Sequence, residues 1–348
     1  MAAVRIAVVA PPWFEVPPQG YGGIERLCFD LVEGLVDRGH DVTLVATGVR
    51  HCRASFLQAM PEPPHGLGEA EGPAQEVRYA AIVSNLLRDL PVDVVHDHSL
   101  ACPLSWRDRP APTLVTIHGP TDGPVGDYFR HLRLPAVAIS EAQRSRAPDL
   151  PWMATIYNSI DVDSYPFRHE KDGFVLFVGR MNPEKGAHVA VDAAREAAVP
   201  LVLAGKCKET DELRYFEAEV APRLHDGATW VGEVSGRRRM DMFARARALL
   251  FPAMWDEPFG LVMVEAMACG TPVVALDRGA VSEVVEHERT GFVCRDVAEM
   301  ASMIRRTDRI DPADCRQRAA DVFDVEVMVR AYERAYRDVV QGRAKDAS

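Results

Sequence analysis

No two of the seven cysteines (Cys28, Cys52, Cys102, Cys207, Cys269, Cys294, Cys315) form a C-x-x-C pair. That absence excludes a zinc ribbon and a redox dithiol, and fits buried thiols in a reducing compartment. A basic excess is missing too: the formal net charge is −11, from 40 Lys and Arg against 51 Asp and Glu. Binding to a phosphate backbone wants the opposite sign, so nucleic acid is excluded as the main partner. No apolar run reaches membrane-spanning length. Val4 to Ala10 is too short, and it leads into Pro11, Pro12 and Trp13 with no cleavable signal pattern. A cytoplasmic protein is expected. No G-x-x-x-x-G-K-[ST] phosphate loop occurs.

What is present is a regular alternation of apolar strands and amphipathic helices, in a chain 47% hydrophobic and 26% charged. Alternation of this kind predicts parallel sheets covered on both faces. Val4–Ala10 reads as the first strand. A helix follows with Ile24, Leu27, Cys28, Leu31 and Leu35 at helical spacing, closed by Gly39 as a left-handed cap. Further strands are expected at 42–46, 93–96, 113–117, 136–139 and 154–157. The stretch 60–75, rich in Pro, Gly and Glu, reads as a solvated loop.

A second series opens after the polar segment 164–171, which reads as a linker. Its strands are expected at 173–179, 201–204, 229–231, 248–251 and 272–275. The 348 residues thus divide into an N-terminal domain, 1–168, and a C-terminal domain, 169–325. A last helix, 326–348, carries Met328, Val329, Tyr332, Tyr336 and Val339 on one face and could pack on either. In open parallel sheets ligands sit at the carboxyl ends of strands, and the informative residues fall there in both halves.

The most informative stretch is Glu257-Pro258-Phe259-Gly260-Leu261-Val262-Met263-Val264-Glu265. It reads as a Pro/Gly loop feeding the first turns of a helix, whose free N–H groups can hold an anion. Two carboxylates beside an anion site suit a diphosphate bearing hydroxylated groups at both ends, which describes a nucleotide sugar. One glutamate would accept hydrogen bonds from the ribose, the other from the sugar to be transferred. At the matching position earlier in the same half, the loop Gly179-Arg180-Met181-Asn182-Pro183-Glu184-Lys185-Gly186 places two cations before a helix. The helix dipole disfavours cations there, so Arg180 and Lys185 point to an anion, most simply the diphosphate.

Other segments carry less. Gly20-Tyr21-Gly22-Gly23-Ile24-Glu25 opens the first helix without the dinucleotide pattern, and read alone it is a structural turn. His118, at a strand end before Gly119, is as good a candidate for a sugar or phosphate contact as for a structural hydrogen bond. In His96-Asp97-His98 only the two histidines share a strand face and no third ligand is evident, so support of the site is favoured over metal binding. Ser140-Glu141 resembles a helix N-cap and Asn158-Ser159-Ile160-Asp161 a turn. Arg130, Arg133, Arg144 and Arg146 make a modest basic cluster, read as a solvated face, with peripheral contact to anionic lipid the rarer alternative.

Together these residues resemble the retaining glycosyltransferases of family four. The extended match runs from Glu257-Pro258-Phe259-Gly260-Leu261 through Glu265-Ala266-Met267-Ala268-Cys269-Gly270-Thr271-Pro272. Gly22-Gly23, His118, Ser140-Glu141, Asn158, the Arg180 to Lys185 loop and Thr290-Gly291-Phe292-Val293 fall in the family's order. Gly279-Ala280 departs from the two glycines many members have there.

The resemblance implies a GT-B fold, two facing Rossmann-like α/β domains with an interdomain cleft, and a last helix that crosses back to the N-terminal domain. It implies transfer of a sugar from a nucleoside-diphosphate sugar to an acceptor hydroxyl, with no cofactor and no metal. Arg180 and Lys185 would neutralise the diphosphate, and Glu265 would bind the ribose. Glu257 and the amides of Phe259, Gly260 and Leu261 would position the sugar, with His118 beside it. Gly22 and Gly23 would approach the diphosphate, and Gly205 and Val234 would line the nucleotide pocket. The rival readings are a nucleotide-sugar epimerase on the same fold and a sugar-nucleotide-binding protein without turnover.

Overall fold

The computed structural model describes residues 3–20, 22–65, 67, 71–224 and 227–342. The chain separates into two compact units: Met1–Asn158 with Val325–Ser348, and Ser159–Asp324.

In the first unit the described residues form a seven-stranded sheet in the order β3-β2-β1-β4-β5-β6-β7. These strands are β1 (Arg5–Val9), β2 (Asp41–Thr47), β3 (Ser55–Met60), β4 (Val94–Asp97), β5 (Thr113–Ile117), β6 (Ala136–Ala138) and β7 (Trp152–Thr155). Every pairing is parallel. The two faces of a strand therefore both meet helices, and Ile6, Ala7, Val8 and Val9 are all fully buried. One layer holds the helix Gly23–Asp37 and the terminal helix Val325–Val340; the other holds Gly72–Leu87. The terminal helix buries its apolar stripe of Met328, Val329, Tyr332, Tyr336 and Val339 in this unit. Its Glu333 carboxylate takes a two-pronged bond from Arg38 at 2.8 and 2.9 Å and contacts His40 Nε2 at 3.0 Å.

Two readings of this half need correction. The stretch 60–75 is a loop only in its middle, where 61–65 is irregular with Pro61, Glu62 and His65 exposed; residues 66 and 68–70 lie outside the described residues. Met60 ends β3 and is buried, and Gly72 already begins a helix with Pro73 in its first turn, where proline's missing N–H costs nothing. The strand expected at 154–157 lies two residues earlier, because Trp152 anchors it in the cluster with Val115, Phe129 and Leu150. Neither β3 nor the last strand of the second unit was expected.

In the second unit the described residues form a six-stranded parallel sheet, order β10-β9-β8-β11-β12-β13. Its strands are β8 (Val175–Val178), β9 (Leu201–Ala204), β10 (Ala228–Trp230), β11 (Ala248–Phe251), β12 (Val273–Leu276) and β13 (Gly291–Cys294). The segment 164–171 belongs to this unit and is not a free linker. Arg168 N donates to Cys269 O at 3.3 Å. The Lys171 ammonium donates to Ala244 O, Cys269 O and Thr271 Oγ1 at 2.9–3.0 Å, and burial pulls its pKa down to about 8. The unit ends where Phe323 O accepts from Ile160 N and Asp324 Oδ2 from Val162 N. All seven cysteines are free thiols, six of them buried. Among the described residues no helix is long and apolar enough to cross a membrane.

Glu25 carries a stability prediction. It faces inward from the first turn of helix Gly23–Asp37 and is only 3% exposed, and burial, with the like charge of Glu76 adding to it, raises its pKa to about 8. The folded chain then holds a proton that the unfolded chain releases near 4.5. The resulting stability is complete below pH 4.5 and is lost as pH rises through 8. Glu25→Gln stays neutral at every pH. Thermal unfolding should therefore show a small difference from wild type at pH 5 and a stabilised variant at pH 9, by on the order of a few kcal/mol. A gap that does not widen with pH would contradict a protonated Glu25.

Candidate active site

The second unit builds its site at the carboxyl ends of β8 and β11. After β8 the chain turns through Gly179 and Arg180, and Asn182 caps a short helical turn, Pro183–Lys185, its Oδ1 accepting from Lys185 N at 3.1 Å. That turn directs Lys185 towards the loop after β11. There the Lys185 ammonium ion-pairs with Glu257 Oε2 and lies 5.5 Å from the centre of the Trp255 ring. The same carboxylate oxygen accepts from Trp255 Nε1 at 2.9 Å. Arg180, half-buried, lies on the same loop, where its carbonyl accepts from Asn182 N at 2.9 Å.

Glycines decide the shape of this corner. Gly260, at φ +86°, caps the helix Leu261–Ala268, a conformation that costs a residue with a Cβ. Gly205 follows β9 and donates to Gly232 O at 2.9 Å. A Cβ there would lie 1.7 Å from Gly179 O, so the backbone entering the Arg180 loop and the backbone leaving β9 touch directly. Phe259 is buried against Phe323, with ring centres 5.8 Å apart, which pins the loop between Glu257 and the helix. Leu261 and Val234 are half-buried.

Glu265, on the helix and 7% exposed, has its own partners. Tyr165 OH donates to Oε1 at 3.0 Å, and Arg239 pairs with Oε2. The two glutamates thus sit in two charge-balanced clusters, Lys185–Trp255–Glu257 and Arg239–Tyr165–Glu265, at the start and along the body of one helix. Trp255, Tyr165 and Arg239 were not foreseen. A signal for Arg239 existed: of the run Arg237-Arg238-Arg239 it alone stands four residues before buried Phe243, the same helix face, and its guanidinium lies 5.5 Å from that ring. That it meets Glu265 was not readable locally.

In the first unit, Gly22 is buried at φ +143° against Pro18, and its carbonyl accepts from Arg26 N at 3.0 Å; Gly23 is the first helical residue and is exposed. Tyr21 lies outside the described residues. His118 follows β5. Its Nε2 is 2.9 Å from His98 Nδ1, its Nδ1 is buried with no hydrogen-bond partner among the described residues, and burial pushes its pKa to about 3. His96 and His98 contact each other at 3.2 Å. Asp97, on the opposite face, binds Ser99 and the buried Arg109 guanidinium at 2.5 Å. Ser140 Oγ caps its helix by accepting from Gln143 N at 3.0 Å. The basic cluster is largely neutralised: Arg130 pairs with Asp127 and Asp149, and Arg146 with Asp122.

Two Rossmann-like units with parallel sheets are the GT-B architecture of glycosyltransferases, and comparison with known proteins agrees. The description of glycosyl transferases group 1 matches residues 163–311, and that of glycosyltransferase family 4 matches residues 21–164. Each half of the chain thus matches a glycosyltransferase family. The chain is 29% identical over 322 residues to a phosphatidyl-myo-inositol mannosyltransferase of Mycolicibacterium smegmatis, covering 81% of this chain and 78% of that one. It is also 29% identical over 256 residues to a glycogen synthase of Mycobacterium tuberculosis, covering 68% of this chain and 57% of the relative. Among solved structures, AviGT4, a glycosyltransferase involved in avilamycin A biosynthesis, matches with a TM-score of 0.74 and 29% identity over 97% of this chain and 98% of its own. Sucrose-phosphate synthase from Thermosynechococcus elongatus shares the fold, with a TM-score of 0.81 at 20% identity over 97% of this chain and all of its own.

Proposed function

We propose that the chain transfers a sugar from a nucleoside-diphosphate sugar to an acceptor hydroxyl with retention of anomeric configuration, without a metal ion. The observation that carries this reading is the Lys185–Glu257 pair beside Arg180 and the Gly260-capped helix. Lys185 is half-buried and held by a carboxylate that a diphosphate can replace as its partner. Arg180, Lys185 and the helix amino end then supply positive potential where charge develops on the leaving group. Glu265, already accepting from a hydroxyl (Tyr165) and a guanidinium (Arg239), has the donor-binding chemistry that ribose hydroxyls require. Once Lys185 turns to the diphosphate, Glu257 is released to accept from hydroxyls of the transferred sugar, with the amides of Phe259, Gly260 and Leu261 around it. Gly22 and Gly23 are assigned to the diphosphate, Gly205 and Val234 to the nucleotide, and His118 to the sugar.

In the chemical step the bond from the anomeric carbon to the diphosphate oxygen breaks, and the electron pair leaves with the phosphate. The acceptor oxygen bonds to the same carbon from the same face, and its proton passes to the departing phosphate. Glu257 is not assigned as a nucleophile. The cations take the role a metal would have in neutralising the diphosphate.

A structure sharing this fold at 19% identity, HepE of Anabaena, has been solved with UDP-glucose, which puts that donor on the list to test. A thermal-shift panel of UDP-, GDP-, ADP- and dTDP-sugars should single out one nucleotide, since a ligand that binds only the folded state raises its melting point. With that donor and an accepted hydroxyl compound, proton NMR of the product should show the donor's anomeric configuration, and turnover should survive a chelator. An inverted product, turnover abolished by the chelator, or an epimerised nucleotide sugar formed from donor alone would each reject the corresponding part of the reading.

A further inference from the structure

The loop between β11 and the helix Leu261–Ala268 is pinned by its backbone. Met254 N donates to Glu184 O at 2.7 Å, which ties the loop to the turn bearing Lys185. Glu257 N donates to Trp255 O at 2.9 Å, and across this tight turn the Trp255 indole reaches the Glu257 carboxylate. On the other side, Glu257 O accepts from Ala280 N at 3.0 Å and Asp256 Oδ1 from Gly279 N at 3.2 Å. Gly279 packs so closely here that a Cβ would lie 2.2 Å from Glu257 O. With the backbone held from both sides, side chains must supply the response to a ligand.

The Glu257 carboxylate is divided between its two oxygens. Both donors fall on Oε2, the Lys185 ammonium and the Trp255 indole N–H, one for each lone pair. Oε1 accepts from no described residue, and the Glu257 side chain is 13% exposed, so Oε1 is the oxygen open to a ligand. The two donors differ in mobility. Lys185 carries its charge on a flexible four-carbon stem, 21% exposed, and a diphosphate offers it a second partner. The indole turns about two side-chain bonds, and among the described residues Glu257 Oε2 is its only acceptor. The cation can leave; the indole stays.

We propose that Trp255 is a positioning residue for the donor sugar: its N–H keeps Glu257 Oε2 anchored when Lys185 moves to the diphosphate, so that Oε1 accepts from a hydroxyl of the sugar. This rests on the function proposed above and makes Trp255 the residue that joins diphosphate binding to sugar recognition. Without the indole, Glu257 would lose both fixed donors as the sugar arrives, and ordering a loose carboxylate would offset part of the binding free energy. A carboxylate oxygen only accepts, so the sugar carries a hydroxyl at this position and no anionic group.

Lys185→Ala reproduces the departure of the cation without a ligand. Proton–nitrogen NMR of the full-length protein identifies the Trp255 indole among the five tryptophans by its loss in Trp255→Phe. That signal should stay downfield and protected from exchange in Lys185→Ala, and should lose both features in Glu257→Ala. An indole that lets go in Lys185→Ala overturns the anchor. Calorimetry tests the sugar, with the nucleotide sugar singled out by the thermal-shift panel set against its nucleoside diphosphate. Trp255→Phe keeps an aromatic ring beside Lys185 and removes the N–H. It should weaken the nucleotide sugar several-fold more than the nucleoside diphosphate, and in a Glu257→Ala background that extra loss should vanish. An equal loss for both ligands, or none, removes Trp255 from sugar recognition. A panel in which no nucleotide binds overturns the function proposed above and the sugar role with it, while the anchor stands or falls on the indole signal.

Discussion

Lys185→Ala and Arg180→Ala should each lower turnover by roughly 10²–10³-fold, about 3–4 kcal/mol of lost transition-state stabilisation, the usual consequence of deleting a group that meets developing charge. The loss should fall mainly on kcat, because charge on the leaving phosphate grows as the glycosidic bond breaks. Lys185→Ala has a second consequence. Among the described residues the Glu257 carboxylate then keeps only the Trp255 indole at 2.9 Å, so a half-buried carboxylate loses its counter-charge. Thermal unfolding run beside the kinetics separates the two effects. A folded variant with a near-normal melting temperature and collapsed kcat supports the assigned role, and wild-type turnover in either variant would refute it.

Gly205→Ala should destabilise the second unit by about 3 kcal/mol, the upper range for forcing atoms into a packed interior. The added Cβ would stand 1.7 Å from Gly179 O and 2.7 Å from its carbonyl carbon, so backbone has to move, and no side chain can swing aside. For a unit of this size that corresponds to a melting temperature lower by roughly 10 °C. The same shift would carry the Arg180 loop away from β9, so nucleotide binding should weaken together with stability. An unchanged melting temperature by calorimetry would show that the two loops are not in contact.

Much of the fold could be read beforehand because parallel strands are written as continuous apolar runs. Val175-Leu176-Phe177-Val178 and Ala248-Leu249-Leu250-Phe251 are each recognisable from their own residues. The edge strand Ser55–Met60 was missed for the converse reason: it contains Ser55 and Gln58 and is half-exposed over much of its length, so it gives no such run. Gly291–Cys294, the other edge, was noticed as a sequence pattern and not as a strand. Only the far end of the 60–75 stretch was misread, since one proline in a first helical turn is compatible with the helix that begins at Gly72.

The site divides in the same way. Glu257, Glu265, Arg180 and Lys185 stood out because charge at a helix start or in a glycine-rich loop has a cost that needs a reason. Their partners did not stand out. Tyr165 lies 100 residues from Glu265, and Trp255 looks like any aromatic near a turn. Tyr336 is 240 residues from His96, and on its helix it reads as one more apolar stripe residue.

By itself the sequence determined the local elements, the alternation that makes two parallel-sheet units, and the charged residues whose placement demands a ligand. All of these follow from interactions within a few residues: backbone periodicity, capping, and the field of a helix end. The tertiary structure alone decided which unit the last helix completes, that Lys185 and Arg239 neutralise Glu257 and Glu265, and that His96, His98 and His118 meet one another. Those outcomes depend on groups that only folding brings within hydrogen-bond distance, where burial removes the water that would otherwise satisfy each of them separately.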